Sequence, residues 1–329
     1  MTRGRACVVA VAVILTLPLG GETAPARRIS SIGVLANAFD TADSAPFQNF
    51  LGGLLALGYV EGGNLEIHWR SSEGQAEQLP ALARGLVQAR VDVIVTTSLQ
   101  PALAAARATR TIPIVFVLAA DPVGHGLVES LARPGGNVTG VASYMPGEVA
   151  EQVLRLLKEA SPAASRLAVL GNPGNPVNRE LIARALPGPA ERAGVALLPL
   201  ELRSASDLEA SLTGAVRQRA DALYVLADAL TFIHAPRIAR LATQNGLPAI
   251  FATRSAVDAG GLMSYGPSLR EPWGRAAVYV DRILKGARPA ALPVDQPARF
   301  ELVVNRKTAT ALGLTLPESL LSRAHEIIQ

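Results

Sequence analysis

The sequence has a single cysteine, few aromatic residues and no long apolar run after its N-terminal stretch. Cys7 is the only cysteine among 329 residues, so the chain forms no internal disulfide, and its mature part has no thiolate nucleophile. No later segment is apolar for about 18 residues, so we expect the mature protein to be soluble. Aromatic residues make up only 4% of the chain, which predicts a core of Ala, Val, Leu and Ile.

Charged residues are also few, at 18%, whereas apolar residues reach 49%, as is typical of a globular chain with a large core. The net charge is +4, but the basic residues are scattered, with no arginine run longer than Arg27-Arg28. A nucleic-acid-binding surface needs clustered basic residues. We therefore expect a solvated basic surface and no nucleic-acid partner.

The motifs of the common enzyme classes are missing. There is no P-loop and no nucleophile elbow, and residues 124–126 match only part of a dinucleotide-binding loop because Ser130 replaces its last glycine. The four histidines are well separated, with no pair at metal-ligand spacing. Asp40 and Asp43 are interpreted as loop and capping residues rather than catalytic carboxylates. We expect no catalytic group, no metal and no cofactor.

Residues 1–26 have the layout of a secretory signal peptide. Two arginines precede an apolar core, residues 7–19, and residues 24–26 fit the small-x-small cleavage pattern. We predict a mature chain that begins near Arg27 and resides in the periplasm. Cys7 lies at or before the start of the apolar core, which is the wrong place for lipid attachment, so we expect no lipid anchor. An uncleaved anchor is the alternative.

Apolar runs alternate with amphipathic stretches along the rest of the chain. Short, continuous apolar strands such as residues 91–97 are typical of a parallel sheet covered on both faces. The β-α alternation of the first half returns after residue 143 as architecture, without a sequence repeat. The pattern predicts an α/β fold with two doubly wound parallel-sheet lobes.

The stretch from residue 121 to residue 143 is predicted to end one lobe and lead to the other. Asp121-Pro122 stops a buried strand because proline has no N–H for the ladder. A short helix is predicted at 123–131, and a strand at 137–142 follows a compact turn.

The C-terminal part is mixed, and it is predicted to end in a helix at 317–328. Two further transits between lobes fit in this part, which makes three with the first. The predicted division is lobe 1 at 27–142 plus 267–297, and lobe 2 at 143–266 plus 298–329.

Polar residues stand where the predicted strands end. In open α/β sheets, ligands bind beyond the carboxyl ends of the strands. The candidate ligand-binding residues in the first half are Asn37, Thr97, Ser98, Gln100, Asp121 and Ser143. Those in the second half are Asn175, Asp228 and Thr253.

Two of these positions have a predicted chemical role. The helix that opens near Ser98 can hold a carboxylate at its N-terminus, and Asp228 can pair with an ammonium group. The alternatives are that both residues only cap helices and that Asp121 only forms an Asp-Pro turn. Four aromatic residues near the strand ends either stack on a ligand or simply pack: Phe39, Tyr144, Phe232 and Tyr265.

Several long stretches resemble one known family. They include LGYVEGGNLEIHWRSSEGQAEQLPALARGLV, VDVIVTTSLQPALAAARATRTIPIVFVLAADPVGHGLVESLARPGGNVTG and GGLMSYGPSLREPWGRAAVYVDRILKGARPAALPV. The chain is similar to the ABC-transporter substrate-binding family that includes the tryptophan/tyrosine-binding proteins. The resemblance implies a fold like that of type I periplasmic binding proteins, with two lobes, three hinge crossings and one ligand between the lobes.

The resemblance also implies that the protein captures a small solute by hinge closure. The ligand that the family implies is an aromatic amino acid. Delivery to an inner-membrane permease with a cytoplasmic ATPase follows, and we expect a monomer. Thr97-Ser98, Asp121, the loop at 172–176 and Asp228 fall at matching places, whereas Gln100 and the stretch at 253–255 depart from the family pattern. A ligand-sensing module for a membrane receptor and a secreted two-lobe enzyme are the alternatives.

Overall fold

The computed structural model describes residues 29–38, 44–143, 146–296 and 299–329. Within these ranges the chain forms two β-sheets, each with helices packed on both faces. No helix in this part of the chain is long and apolar enough to cross a membrane. The predicted signal peptide lies outside the described residues.

The first sheet consists of five strands: β1 (Ser30–Ala36), β2 (Leu65–Ser71), β3 (Val93–Thr96), β4 (Ile114–Ala119) and β5 (Val138–Ala142). Its order is β2-β1-β3-β4-β5, and all neighbours are parallel. Parallel strands need crossover connections, and three of these are helices. The helices are α1 (Ala45–Ala56), α2 (Leu79–Gln88) and α3 (Leu99–Ala108).

The second sheet has the order β12-β11-β10-β9-β8-β6-β7. In chain order its strands are β6 (Arg166–Gly171), β7 (Ala196–Glu201), β8 (Ala222–Val225), β9 (Ala249–Phe251), β10 (Met263–Pro267), β11 (Phe300–Asn305) and β12 (Glu326–Ile328). Four of the neighbouring pairs from β7 to β10 are parallel, but β10 and β11 are antiparallel. This is a departure from the all-parallel sheet predicted from the sequence.

The remaining helices complete the two layers around the sheets. They are α4 (Pro146–Ala160), α5 (Pro176–Glu180), α6 (Pro187–Arg192), α7 (Leu208–Arg217), α8 (Ala229–Ile233), α9 (Ala235–Gln244), α10 (Arg254–Asp258), α11 (Arg270–Leu284), α12 (Arg306–Ala311) and α13 (Glu318–Leu321). Helix α11 follows the second sheet in sequence but packs against α1 and the first sheet. We call the first sheet with its helices lobe 1 and the second sheet with its helices lobe 2.

The chain crosses between the lobes three times: after β5, after β10 and before β11. The crossings lie side by side, because the Ala142 N–H donates to the Asp295 carbonyl (2.8 Å) and the Ser268 N–H donates to the Arg299 carbonyl (3.0 Å). The third crossing delivers the chain to the edge of the second sheet where the parallel strands end. Strand β11 must therefore run back away from that edge, which explains its antiparallel direction.

The few aromatic residues of lobe 1 are concentrated beneath α1 and α11. Phe47, Phe50 and Trp273 are fully buried, and both phenylalanine rings meet the indole edge-on, with centroids 6.1 and 6.0 Å apart. Elsewhere the core is mainly aliphatic, as the composition predicts, with Phe116, Tyr224 and Phe251 as buried aromatic residues. The aromatic cluster fixes α11 to lobe 1, although its neighbours in sequence belong to lobe 2.

Residues 123–131 do not form the predicted helix. They form a series of turns in which the Leu127 N–H donates to the Pro122 carbonyl (2.8 Å) and the Glu129 N–H to the Pro134 carbonyl (3.0 Å). Gly126 adopts a positive φ of 68°, which a right-handed helix does not allow. The prediction was wrong because glycine and proline at both ends favour turns over helix.

The predicted closing helix is also mostly wrong. Only Glu318–Leu321 is α-helical, and the last residues form β12, in which Ile327 lies opposite Val304 of β11. The β-branched isoleucines fit a sheet edge better than a helix. The sequence did not predict α12, whose N-terminus is capped by Asn305 through the Thr308 N–H (3.1 Å).

Substitution of a glycine in β5 tests the packing of the first sheet. Gly140 has a φ of 148°, and a Cβ there would lie 2.0 Å from the Phe116 carbonyl oxygen. We expect Gly140→Ala to lower the free energy of unfolding by at least about 2 kcal/mol, because backbone atoms must move.

The matched control is Gly136→Ala in the preceding turn, where a Cβ meets nothing within 4 Å. Urea unfolding of the two variants measures the difference. Equal midpoints would contradict the close strand approach at Gly140.

Candidate functional site

The carboxyl ends of both sheets face a cleft of about 940 Å³ that residues of both lobes line. The parallel pairing within each sheet brings the polar residues after the strands to this one place. Of the nine sequence-predicted site residues, eight line the cleft: Asn37, Thr97, Ser98, Gln100, Ser143, Asn175, Asp228 and Thr253.

Asp121 is not among the residues that line the cleft. Its carboxylate accepts a hydrogen bond from the Gly124 N–H (2.8 Å), as expected for an Asp-Pro turn. A bulge in β4, with Leu118 at a φ of 61°, shifts the strand register just before this turn. The positions of Phe39, Asp40, Asp43 and Tyr144 lie outside the described residues.

Polar side chains of the lobe 1 wall form one network. The Asn37 side-chain amide donates to Gln100 Oε1 (3.0 Å), and its oxygen accepts from the Ser72 hydroxyl (2.6 Å). The Asn37 N–H also approaches the Thr97 hydroxyl (3.4 Å). Asn37 and Thr97 are buried, so these bonds hold both side chains in one orientation at the cleft floor.

Two helix N-termini open onto the same wall. Ser98 precedes α3 and Ser44 precedes α1, and neither side chain caps its helix. The first turn of a helix leaves backbone N–H groups without intrahelical partners and carries a partial positive charge. None of the described residues that line this wall is charged. The wall can therefore bind an anionic group such as a carboxylate.

The sequence analysis did not identify the start of α1 as part of the site. Gln48 and Asn49 in its first turns line the cleft. The signal was present, since Pro46, a residue favoured at helix starts, follows the first strand and precedes an apolar stretch. The candidate residues were selected directly after the strands, so the helix that follows the loop was not included.

The lobe 2 wall is centred on the carboxylate of Asp228. Its two oxygens accept hydrogen bonds from the side-chain amides of Asn172 (3.1 Å) and Asn175 (2.9 Å). The Leu230 N–H also donates to it (3.0 Å), and the Asp228 N–H in turn donates to the Thr231 hydroxyl (3.0 Å). These contacts fix the carboxylate, which is mostly buried, at the cleft surface.

Asp228 therefore caps α8 and faces the cleft at the same time. The two sequence-based interpretations, helix cap and cleft residue, are compatible because the carboxylate has lone pairs on both oxygens. Four N–H groups of the protein already donate to the carboxylate, because the Thr231 N–H completes the capping box. A ligand at the cleft surface therefore meets its negative charge rather than an unused acceptor position. A cationic donor is favoured there, since hydrogen bonds between charged groups are the stronger ones.

Arg254, a cation at the rim of this wall, is already paired. Its guanidinium donates to both oxygens of Glu326 (2.6 and 2.7 Å), and Asp258 lies 3.4 Å away. The hydrogen bonds from Arg254 hold the pKa of Glu326 below its ordinary value. Thr253 lines the cleft beside it, and so does Glu301, which the sequence analysis missed. The wall thus presents net negative charge.

Aromatic rings enclose the hinge end of the cleft. Tyr265 and Phe300 face each other on neighbouring strands, with ring centroids 5.0 Å apart and planes tilted by 30°. Burial, partly offset by Arg155, raises the pKa of Tyr265 above its ordinary value, so its hydroxyl stays protonated. Phe232 lines the lobe 2 side. Phe300 was missed because it is the first residue of β11, an antiparallel strand that begins at the cleft, whereas the predicted site residues follow their strands.

Ser143 lies at the first crossing and has a buried hydroxyl without a partner. The residue is 5% exposed, and its Oγ makes no hydrogen bond among the described residues. Its backbone N–H donates to the Ala119 carbonyl (2.9 Å), which fixes its position. A buried polar atom that lacks a partner is costly, and a ligand in the cleft can supply the missing bond.

The described residues of the two walls do not form a set of metal ligands. Within the described ranges, no group of three or more His, Cys, Asp or Glu side chains is placed to hold a metal ion. The charged groups at the cleft instead bind other protein groups, as Arg254 and Asp228 show. The arrangement is suited to reversible binding of a small polar molecule.

Comparisons with known proteins identify relatives over most of the chain. The model of the ABC transporter substrate binding protein family matches residues 31–328. A tyrosine-binding protein of Clostridioides difficile is 27% identical over 267 residues, which cover 81% of this chain and 76% of that protein.

Two solved structures share the fold at comparable identity. The ABC domain in complex with L-Trp from Streptococcus pneumonia has a TM-score of 0.82 and 27% identity, covering 91% of this chain and 99% of its own. The ligand-free, open structure of a substrate-binding protein with adhesive properties from Clostridium difficile has a TM-score of 0.65 and 25% identity, covering 92% and 100%.

These matches bear out the predicted fold class, two doubly wound α/β lobes joined by three crossings as in type I periplasmic binding proteins. They also bear out the predicted function of solute binding for import. The family model spans nearly all of the described chain. The chain belongs to the family of ABC transporter substrate-binding proteins.

Proposed function

We propose that the cleft captures an amino acid, with preference for an aromatic side chain. The observation that carries the proposal is the opposite polarity of the two walls. Lobe 1 offers two helix N-termini for a carboxylate, and lobe 2 offers Asp228 for an ammonium group. The relatives described above include a tyrosine-binding protein and a complex with L-Trp, which supports this ligand class.

The aromatic preference is supported by the hinge end of the cleft. Tyr265, Phe300 and Phe232 present ring faces and edges there, which favour a planar apolar side chain. Ser143 adds a hydroxyl that can exchange a hydrogen bond with the ligand. The ligand's charged head would then lie between Ser98 and Asp228.

The lobes are inferred to be closed in this structure. Gly74 in the loop after β2 lies against Ile233 and Leu230 of α8, since a Cβ on the glycine would be 3.1 and 3.6 Å from their side chains. The higher TM-score to the L-Trp complex than to the open structure, at similar identity and coverage, supports the same state. Closure brings both walls to one ligand, so a ligand that contacts both favours it.

We propose the lobe boundaries predicted from the sequence, with 27–142 plus 267–297 moving against 143–266 plus 298–329. The protein would act as a monomer in the periplasm after loss of residues 1–26. It would present the closed state to a membrane permease that is coupled to a cytoplasmic ATPase. Its cleft would bind the solute without chemical conversion, as the binding proteins of its family support.

A thermal-shift panel tests the ligand class directly. The purified protein is unfolded and refolded to remove any bound solute and is then mixed with amino acids, small aromatic acids and sugars. A ligand at about 100 times its Kd adds about 2.7 kcal/mol to the free energy of unfolding, which is several degrees in Tm.

We expect L-Trp or L-Tyr to give this shift and the sugars to give none. A shift with another solute alone would reject the amino-acid proposal and keep solute capture. If no member of the panel shifted the Tm, both would be contradicted.

Asp228→Asn tests the ammonium contact. The amide keeps an oxygen for the Leu230 N–H but loses the charge, so we expect affinity for the amino acid to fall by roughly tenfold or more. The matched control is Asp207→Asn, because Asp207 also accepts backbone N–H bonds, from Arg203 (2.9 Å) and Ser204 (2.8 Å), but lies outside the cleft. Isothermal titration calorimetry measures both. Unchanged affinity in Asp228→Asn would remove the proposed role.

Ser143→Ala separates ligand binding from stability. The hydroxyl has no partner among the described residues, so its removal should leave the Tm unchanged and weaken ligand binding by about three- to tenfold. Thr139→Val is the converse control, because the buried Thr139 hydroxyl donates to the Leu292 carbonyl (2.7 Å) away from the cleft. That variant should lose about 1–3 kcal/mol of stability and keep its affinity. The opposite pattern would contradict the assignment of Ser143.

A further inference from the structure

An ion pair joins the two lobes outside the ligand-binding walls. His125 belongs to the turns after β4 in lobe 1, and Glu180 ends α5 in lobe 2. The imidazole Nε2 lies 3.2 Å from Glu180 Oε2, and the side chains are 17% and 29% exposed. Every other ion pair among the described residues joins two side chains of the same lobe.

Glu180 is the charged group that faces the imidazole. Asp121, on the turn that holds His125, directs its carboxylate to a backbone N–H three residues further on (2.8 Å). Arg179, the neighbour of Glu180 on α5, donates to a backbone carbonyl in the preceding loop (2.8 Å). Within the described part of the chain, neither His125 nor Glu180 has a second ion-pair partner.

The attraction between the two residues depends on charge. Nε2 is shielded from solvent and does not meet hydrogen-bond geometry, so a neutral imidazole gains little from the carboxylate. A protonated imidazole gains Coulomb attraction, which is stronger for partly buried groups than for fully exposed ones. Opening the lobes would separate the residues and return each to water.

We propose that His125 and Glu180 form a clasp that favours the closed lobes when His125 is protonated, so that the solute is held more tightly below about pH 6.5 than above it. The inference rests on the proposed capture function, since it describes regulation of the same cleft. Closure gives the protonated imidazole a partner, so by linkage protonation must favour closure to the same extent.

The direction of the pH effect follows from this linkage. Because closure places the Glu180 carboxylate beside the imidazole, the clasp acts while His125 carries its proton and is lost as a rising pH removes that proton. Free amino acids keep their carboxylate and ammonium charges over this range, so the ligand itself does not produce the effect.

Lobe 1 contains a natural control pair. His68 Nε2 lies 3.3 Å from Glu66 Oε1, a separation close to that of the clasp. Both residues are on β2, so closing or opening the lobes leaves their separation unchanged. Substitution of His68 removes a histidine–carboxylate pair of similar separation that lies within one lobe.

The test is calorimetric titration of L-tryptophan and L-tyrosine into the parent, Glu180→Gln, His125→Gln and His68→Gln proteins at about pH 5.5 and about pH 8. We expect the parent and His68→Gln to bind about two- to fivefold more tightly at the lower pH. Glu180→Gln and His125→Gln should lose this ratio. The clasp is refuted if Glu180→Gln keeps the parent's ratio, or if the parent has none.

A second measurement tests the clasp in the ligand-free protein. Imidazole signals in NMR give the titration midpoint of His125 in the ligand-free parent and in Glu180→Gln. A higher midpoint in the parent supports the clasp, and equal midpoints overturn it. If neither amino acid binds at either pH, the proposed ligand class fails on its own, and the His125 midpoints still decide the clasp.

Discussion

Parallel strand pairing is the constraint on which the site depends. When every strand of a sheet runs the same way, all of its carboxyl ends meet at one edge, and the loops there can carry polar groups that a buried strand cannot. Asn37, Thr97 and Ser98 follow two strands that are neighbours in the first sheet. Asn172 and Asp228 follow two neighbours in the second. The cleft exists because these two edges face each other.

In the proposed function, the two walls divide the recognition of a zwitterionic amino acid between the lobes. Helix N-termini supply partial positive charge on one side, and Asp228 supplies negative charge on the other, while Arg254 is neutralised by Glu326. Under this proposal neither wall alone satisfies both ends of the ligand. Binding would then be coupled to closure through the three adjacent crossings, and the contact between Gly74 and α8 would belong to the closed state.

Local signals in the sequence predicted most of the candidate site but not all of it. A polar residue directly after a buried strand is a local pattern, and eight residues selected in this way line the cleft. Asp121 follows the same pattern, yet the bulge at Leu118 and the turn at Gly124 direct it elsewhere. The helix predicted at 123–131 does not form for a related reason, because glycine and proline at both ends of this stretch favour turns.

The sequence by itself determined the two α/β lobes and the strand ends that carry polar groups, because hydrophobic periodicity and chain order specify these features locally. The family followed from the resemblance of long stretches of the sequence. Only the tertiary structure decided which distant residues meet. It placed Phe300 beside Tyr265, Arg254 on Glu326 and His125 against Glu180. It also buried the Ser143 hydroxyl at the first crossing, where none of the described residues bonds to it. Such contacts arise when elements that are far apart in the chain pack together, and no local sequence pattern predicts them.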